Sequence, residues 1–387
     1  MKKALHIVLN EFKPDNRVLK EALTLGENGY DVSIAALMKN DRKEIEDLNK
    51  AKIYRIKLWT NRFSNNPFFQ FFKYLEYTCR LIKKFDDVDI VHCHDVGPLP
   101  IAFLYKLIKN KNLKIIYDAH EYEAYTHNLK SVKKLFIQIV EKLFIKKVDR
   151  MITVSESIAN AYSKEYLIDK PTVVYNAPRY EQIEGSNIFR EKFNIPNEHT
   201  IFLYQGLLGQ GRGIENTLEV FKQLKNENVS VIFMGYGPFK EEIEEASIQN
   251  HNIFYQPFVH PDELLKYTAS ADYGLNLSVN TCLSRFYALP NKLFEYCVAK
   301  IPSIVSDHHE RGKFVRENEI GFVVKDNDID DFILSIKKAH EIDKSYFDNN
   351  IEKVSKKYNW EMESKKLLDS YRSLDAKQKD MPYIHST

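Results

Sequence analysis

The chain has 387 residues, 44% of them hydrophobic, with 56 lysines and arginines set against 54 aspartates and glutamates. That is apolar material for about two or three domain cores, and a formal net charge of +2 gives no reason to expect nucleic acid as a partner. Four cysteines with no CxxC pair and no framework spacing exclude a disulfide scaffold and fit reduced thiols in a cytoplasmic setting.

The opening MKKALHIVLNEF has a short apolar run and no small-residue cleavage site. It reads as a buried first strand rather than a secretory leader. Further strands follow as DVSIAAL, KIYRIKL, VDIVHC, LKIIYD, DRMITVS and PTVVY, with helical periodicity between most of them. A polar stretch, NAPRYEQIEGSNIFREKFNIPNE, breaks the rhythm. After it come TIFLYQG, VSVIFMG, NIFYQP, ADYGLNLS, IPSIVSD and IGFVV. Near-continuous apolar strands alternating with amphipathic helices predict parallel sheets covered on both faces. The expected fold is α/β: a domain over 1–180, a linker over 181–198 and a second domain over 199–358. Residues 359–387 then supply a last helix that packs back on the first domain, and a frayed tail. No apolar run approaches the roughly 18 to 20 residues that cross a bilayer.

Ligands of open parallel sheets bind at the carboxyl ends of the strands. In the first half those ends carry His94, Asp95, Asp118, His120 and Glu121; in the second they carry glycines and small polar residues. This predicts hydroxyl-binding and acid/base groups on one wall, and a phosphate cradle on the other. The cradle is YQGLLGQGRGIENTLEVF, where Gly209, Gly211 and Gly213 allow close backbone approach ahead of a helix and Arg212 can grip phosphate oxygens. A tight turn with a surface arginine is the plainer alternative. Dinucleotide binding is disfavoured, because the loop is GxGxG rather than GxGxxG and the next strand ends in glycine, not an acid. In YALPNKLFEYCVAKIPSI, Pro290 suits a first helical turn and puts Lys292 and Glu295 on one face. They form either an exposed ion pair or a place for an anion beside Lys292, with ribose hydroxyls on Glu295.

Several of these stretches, in this order, resemble the GT-B glycosyltransferases of the retaining family 4 group. DNRVLKEALTLGENGYDVSI resembles that family's first helix and second strand. VDIVHCHDVGPLP resembles its mid-domain histidine segment, DRMITVSESIA the last strand of its first domain, and YNWEMESKKLLDSY its closing helix. PNKLFEYCVAKIPSIVSD is similar to the signature helix of members that build cell-surface polysaccharides. The resemblance implies two Rossmann-like parallel-sheet domains facing a central cleft, and transfer of a sugar from a UDP- or GDP-linked donor to a hydroxyl of a glycan or lipid-linked glycan. It places His120, Glu295, Arg212 and Lys292 at the chemistry. Donor contacts fall to Gly209, Gly211, Gly213, Gly235, Gly237, His260, Tyr287, Ala288, Leu289 and Asn291, and acceptor contacts to Asn16, Arg17, His94 and Asp95. Two positions depart from the pattern: Tyr287 stands where the family has the first of two glutamates, and Leu207 where it has a cation. A sugar-nucleotide epimerase or phosphorylase on the same fold, and a non-catalytic nucleotide- or glycan-binding scaffold, remain as alternatives.

No cofactor and no metal site is expected. Asp87-Val88-Asp89 precedes a strand, and Asp326-Asn327-Asp328 reads as a loop and helix cap. Residues 66–85 and 131–150 interleave aromatic and aliphatic residues with lysines. They read either as core-facing helices with a solvated basic face or as an anionic-membrane surface at the inner face of the cell.

Overall fold

The computed structural model describes residues 1–12, 16–39, 42–64 and 66–376; the tail expected to fray lies outside them. The chain divides into two units, Met1–Val174 with Ser364–Thr387, and Tyr175–Glu363. Each is built on a mainly parallel sheet, as the alternation of strands and helices predicts.

The first unit contains β1 (Lys2–Ile7), β2 (Tyr30–Leu37), β3 (Ile45–Asp47), β4 (Ala51–Ile56), β5 (Ile90–His94), β6 (Lys114–Ala119), β7 (Arg150–Thr153) and β8 (Thr172–Val173). They lie in the order β3-β4-β2-β1-β5-β6-β7-β8, and only the β3–β4 pair is antiparallel. The short edge strand β3 was not foreseen: Ile-Glu-Asp is too brief and too polar to register as a strand. Every residue of β5 is buried, because helices cover both faces. Strand order reverses between β1 and β5, which opens a crevice at their carboxyl ends. Parallel register sets His6 beside His92 and His94 beside Asp118. Partnered residues project to the same side, so the sheet itself gathers these groups on one face. The helix Asn16–Glu27 and the end of the last helix, Trp360–Ala376, close over that face through Arg17, Glu21 and Tyr371.

The second unit contains β9 (Thr200–Leu207), β10 (Val229–Tyr236), β11 (Ile253–Pro257), β12 (Tyr273–Asn276), β13 (Ser303–Ser306) and β14 (Gly321–Val324). Their order is β11-β10-β9-β12-β13-β14, all parallel, with the reversal between β9 and β12. Residues 181–198 lie inside this unit. Within them Ile188–Phe193 forms a helix whose Phe189 is fully buried, and Arg190 pairs with Asp272 at 2.9 Å. The polar surroundings hid this anchor from sequence reading. The unit boundary falls after Val174 rather than after residue 180.

Candidate active site

In the second unit, β9 ends at Gly206 and Leu207, and the glycine loop leads to the helix Ile214–Gln223. Gly213 caps that helix in a left-handed conformation, φ 74°. Tyr204, near the end of β9, is the floor of a cationic cluster. The Lys292 ammonium lies 4.1 Å from the centre of its ring, a cation–π contact. Arg212, Arg285 and Arg311 all act on the same phenol electrostatically. Arg285 donates to the Gly211 carbonyl at 3.1 Å, and a Cβ at Gly211 would stand 2.4 Å from that guanidinium. Gly211 takes φ 69°, a left-handed conformation that favours glycine, and the missing side chain leaves room for Arg285. Arg311 is buried and donates to Ser278 Oγ at 2.7 Å.

Positive charge outweighs negative here. Carboxylates near these cations include Glu295, beside Lys292, Asp326, beside Arg311, and Glu215, which acts on Tyr204. Burial, and then the Arg212 guanidinium, bring the Lys292 ammonium down to about 7. Burial brings Arg311 down to about 10. An anion placed among them would relieve both costs. One helical turn on, Glu295 accepts from Gln205 Nε2 at 2.6 Å.

In the first unit, Asp118 on β6 is fully buried and receives a two-pronged contact from Arg17, Nε to Oδ2 at 2.9 Å and Nη2 to Oδ1 at 2.8 Å. Arg17 also donates to the Val174 carbonyl at 2.7 Å and pairs with Glu21 at 3.1 Å. Burial alone would raise the Asp118 pKa; Arg17 and then His120 hold it well below the carboxylate range. His120 Nε2 lies 3.1 Å from Asp118 Oδ2 and 3.1 Å from His94 Nδ1. Burial opposes its charge, but Asp118 and Asp95 outweigh it and raise His120 to about 9. His94 Nε2 meets His6 Nδ1 at 2.8 Å, His6 Nε2 meets the Tyr371 hydroxyl at 3.2 Å, and that hydroxyl meets His92 Nδ1 at 2.8 Å. Burial is the first cause holding His6, His92 and His94 below the ordinary histidine value, His92 at about 3 and His94 at about 4.

His6, Glu21, His92 and His94 bring ligand-type atoms within 4.8 Å of one another, as do His94, Asp118 and His120. Zinc bonds of about 2.0–2.1 Å hold tetrahedral ligand atoms roughly 3.3–3.5 Å apart. The 2.8 Å between His6 and His94 is instead a hydrogen bond, which uses both nitrogens. Arg17 adds a fixed cation beside the cluster. The contacts here are those of a hydrogen-bonded network.

Residues 16–178 match the family described as Glycosyltransferase Family 4, and residues 186–357 match the one described as Glycosyl transferases group 1. The chain is a GT-B glycosyltransferase of the family 4 kind. It is 24% identical over 368 residues to an uncharacterised glycosyltransferase of Methanocaldococcus jannaschii, covering 90% of this chain and 91% of that one. In structure it is similar to sucrose-phosphate synthase of Thermosynechococcus elongatus, with TM-score 0.77, 16% identity, and 97% and 100% of the two chains covered. The Anabaena protein HepE in complex with UDP gives TM-score 0.74 at 12% identity, over 96% of this chain and 100% of that one.

The glycosyltransferase brings Arg212 and its glycine loop together with Lys292 and Glu295, as the family resemblance implies. Ala288 and Leu289 join the short helix Leu283–Tyr287 to the helix Asn291–Val298, whose first residue, Asn291, is exposed. Tyr287 packs against Phe286 and His309. Gly235 has a different explanation from ligand approach: a Cβ there would stand 1.9 Å from the Gly206 carbonyl, so glycine lets β9 and β10 end side by side. Gly237 likewise abuts the Leu208 backbone. His260 is exposed, caps the helix Pro261–Thr268 and faces Asp262 at 3.2 Å. It is not among the groups gathered at Tyr204.

In the first unit Asp95 takes φ 65°, and its Oδ1 accepts from the His120 N–H at 3.3 Å. Asn16 is exposed at the start of its helix. Arg17 and His94 are buried and committed to internal partners, so neither presents a surface to an acceptor. Sequence reading missed Arg285, Arg311 and Gln205, and also His6 and Tyr371. Three histidines within apolar strands, at positions 6, 92 and 94, were a usable signal for the buried network. Arg285 gave none, because its short helix lies in a stretch read as a loop.

Proposed function

We propose that this glycosyltransferase moves a sugar from a UDP- or GDP-linked donor to a hydroxyl of a glycan or lipid-linked glycan in surface polysaccharide synthesis, retaining anomeric configuration and using neither cofactor nor metal ion. The observation that carries the reading is the convergence of Arg212, Arg285, Lys292 and Arg311 around Tyr204 at a strand switch point. A nucleoside diphosphate brings the charge this cluster lacks, and its charge grows as the sugar–phosphate bond breaks. Preorganised cations stabilise that developing charge most. Arg285 supplies a cation near the loop where Leu207 withholds one. Glu295, held by Gln205, suits ribose hydroxyls. The UDP bound to HepE supports a nucleotide ligand, and retention follows the family resemblance.

On the other unit, His120 is an imidazolium below about pH 9 and acts as a hydrogen-bond donor to a sugar or acceptor hydroxyl rather than as a base. Asp95 lies beside it, accepting from the His120 N–H at 3.3 Å. A lipid-linked acceptor is supported by two outward stripes. Phe68, Phe71, Phe72 and Leu75 are exposed on the helix Pro67–Lys84, and Val132, Leu135, Phe136, Ile139 and Leu143 on the helix Ser131–Phe144. Exposed lysines 133, 142, 146 and 147 accompany the second stripe. No helix among the described residues is long and apolar enough to cross a membrane, so the attachment is to the surface of an anionic, inner-facing membrane.

Thermal shift against UDP, GDP and their sugars, with and without chelator, tests the donor reading. A chelator-insensitive shift with one base is expected; no shift with any nucleotide overturns it in favour of the scaffold alternative. Sedimentation with anionic vesicles at low salt, lost at high salt, is expected of the stripes. Failure to sediment at low salt removes the membrane part of the proposal.

A further inference from the structure

The buried groups behind His120 form an unbroken series of contacts whose direction the chemistry of each member fixes. His120 Nε2 faces the Arg17-paired carboxylate of Asp118 at 3.1 Å, so that nitrogen carries a proton, which also points at His94 Nδ1, 3.1 Å away. His94 Nδ1 then accepts from His120, 3.1 Å away, in preference to donating to Asp118 Oδ2 at the longer 3.5 Å. A neutral His94 keeps its proton on Nε2 and donates it to His6 Nδ1 at 2.8 Å. His6 in turn donates from Nε2 to the Tyr371 oxygen at 3.2 Å, and the Tyr371 hydroxyl donates to His92 Nδ1 at 2.8 Å. That leaves the His92 proton on Nε2, which lies 3.7 Å from Glu21 Oε2 and 3.7 Å from Asp118 Oδ2. The opposite direction would let His94 Nδ1 donate to Asp118 Oδ2 at 3.5 Å, but it is worse at both ends of the chain. It sets an N–H of His94 against the N–H of His120, and a bare lone pair of His92 against two carboxylates.

We propose that Tyr371 and His6 are positioning residues: through a one-way hydrogen-bond chain, Tyr371–His6–His94, they present an acceptor nitrogen to His120 and keep it a hydrogen-bond donor at the strand ends. Tyr371 is the joint, because its hydroxyl both accepts from one histidine and donates to another. The charged and titratable groups around the chain are Arg17 and Glu21 from the first helix, Asp118 from β6, Asp95 after β5, and Cys93 and Tyr30 beside Tyr371. Arg17 balances Asp118, and Glu21 faces His92, so each end of the chain meets charge of the sign its direction requires. The role given to His120 rests on the proposed transferase reading; the chain and its direction do not.

The test is nitrogen NMR of the full chain with labelled histidine, which reads the protonated nitrogen of each ring. His6, His92 and His94 are expected as Nε2–H forms and His120 as doubly protonated at neutral pH. In Tyr371→Phe the ring packing remains and the joint is cut. His6 or His94 should then populate the Nδ1–H form, and His120 should lose its proton roughly one pH unit lower. The alkaline limb of the transferase pH profile should move the same way. Tyr30→Phe, whose ring lies edge-on to Tyr371 at 5.2 Å but outside the chain, should change none of these. A wild-type spectrum with His94 protonated on Nδ1, or with metal-bound ring shifts, overturns the proposal without any variant having to fold. Unchanged His6 and His94 signals in a folded Tyr371→Phe also overturn it. The expected tautomers in a protein that transfers no sugar leave the chain standing and count against the transferase reading alone.

Discussion

The strand ends of the two units solve opposite problems. In the first, Arg17 and His120 face Asp118 and Glu21, and the neutral histidines pass hydrogen bonds among themselves. In the second, Arg212, Arg285, Lys292 and Arg311 stand over a neutral tyrosine, with Glu295 and Asp326 among the carboxylates near them. A cluster that satisfies itself holds a shape. A cluster left with surplus charge has its ground state improved by a ligand of the missing sign. On this contrast the proposed roles are a scaffold that presents one partly exposed edge, His120, for the first cluster and a receptor for the second.

The largest expected effect breaks the scaffold side. Asp118→Asn leaves Arg17 buried with half its counter-charge and should cost about 3 kcal/mol of stability, seen as a clear fall in Tm without ligand. Next, Arg212→Ala with Arg285→Ala should weaken nucleoside diphosphate binding roughly a hundredfold or more, while the ligand-free Tm holds or rises because repulsion is relieved. If that double variant unfolds as Asp118→Asn does, the contrast is wrong. Glu295→Ala should cost about tenfold in UDP affinity and leave inhibition by pyrophosphate unchanged, which separates the ribose end from the phosphate end. The smallest effect is on pH. Lys292 sits at about 7 in the free protein, and a bound diphosphate raises it, so binding takes up a proton above pH 7. Affinity should fall as pH rises through 7, by at most about tenfold per unit for one linked proton. Calorimetry in buffers of different ionisation enthalpy would show the uptake, and a flat profile would remove Lys292 from the anion site.

Sequence patterning foresaw every strand of the second unit and all but β3 of the first, because buried parallel strands leave long apolar runs. It also found the glycine loop and the Lys292–Glu295 face, which depend on local spacing. What escaped it was non-local. Arg285 reaches Gly211 across 74 positions, and Tyr371 reaches His92 across 279. Arg17 looked like a surface contact because nothing near it in sequence announces Asp118, the partner that buries it. His260 follows β11, the edge of the sheet rather than the place where the strand order reverses, so its strand end alone says less about a ligand.

The first unit takes its last helix from the far end of the chain. Lys2 pairs with Asp375, Arg150 donates to Ser373 Oγ at 2.7 Å, and Tyr371 meets His6 and His92. During synthesis the histidines of β1 and β5 therefore emerge long before the hydroxyl that joins them, and the entire second unit is made in between. The first unit therefore waits unfinished until the second has been made, and a nascent chain stopped before Ser364 carries a histidine core with its joint missing.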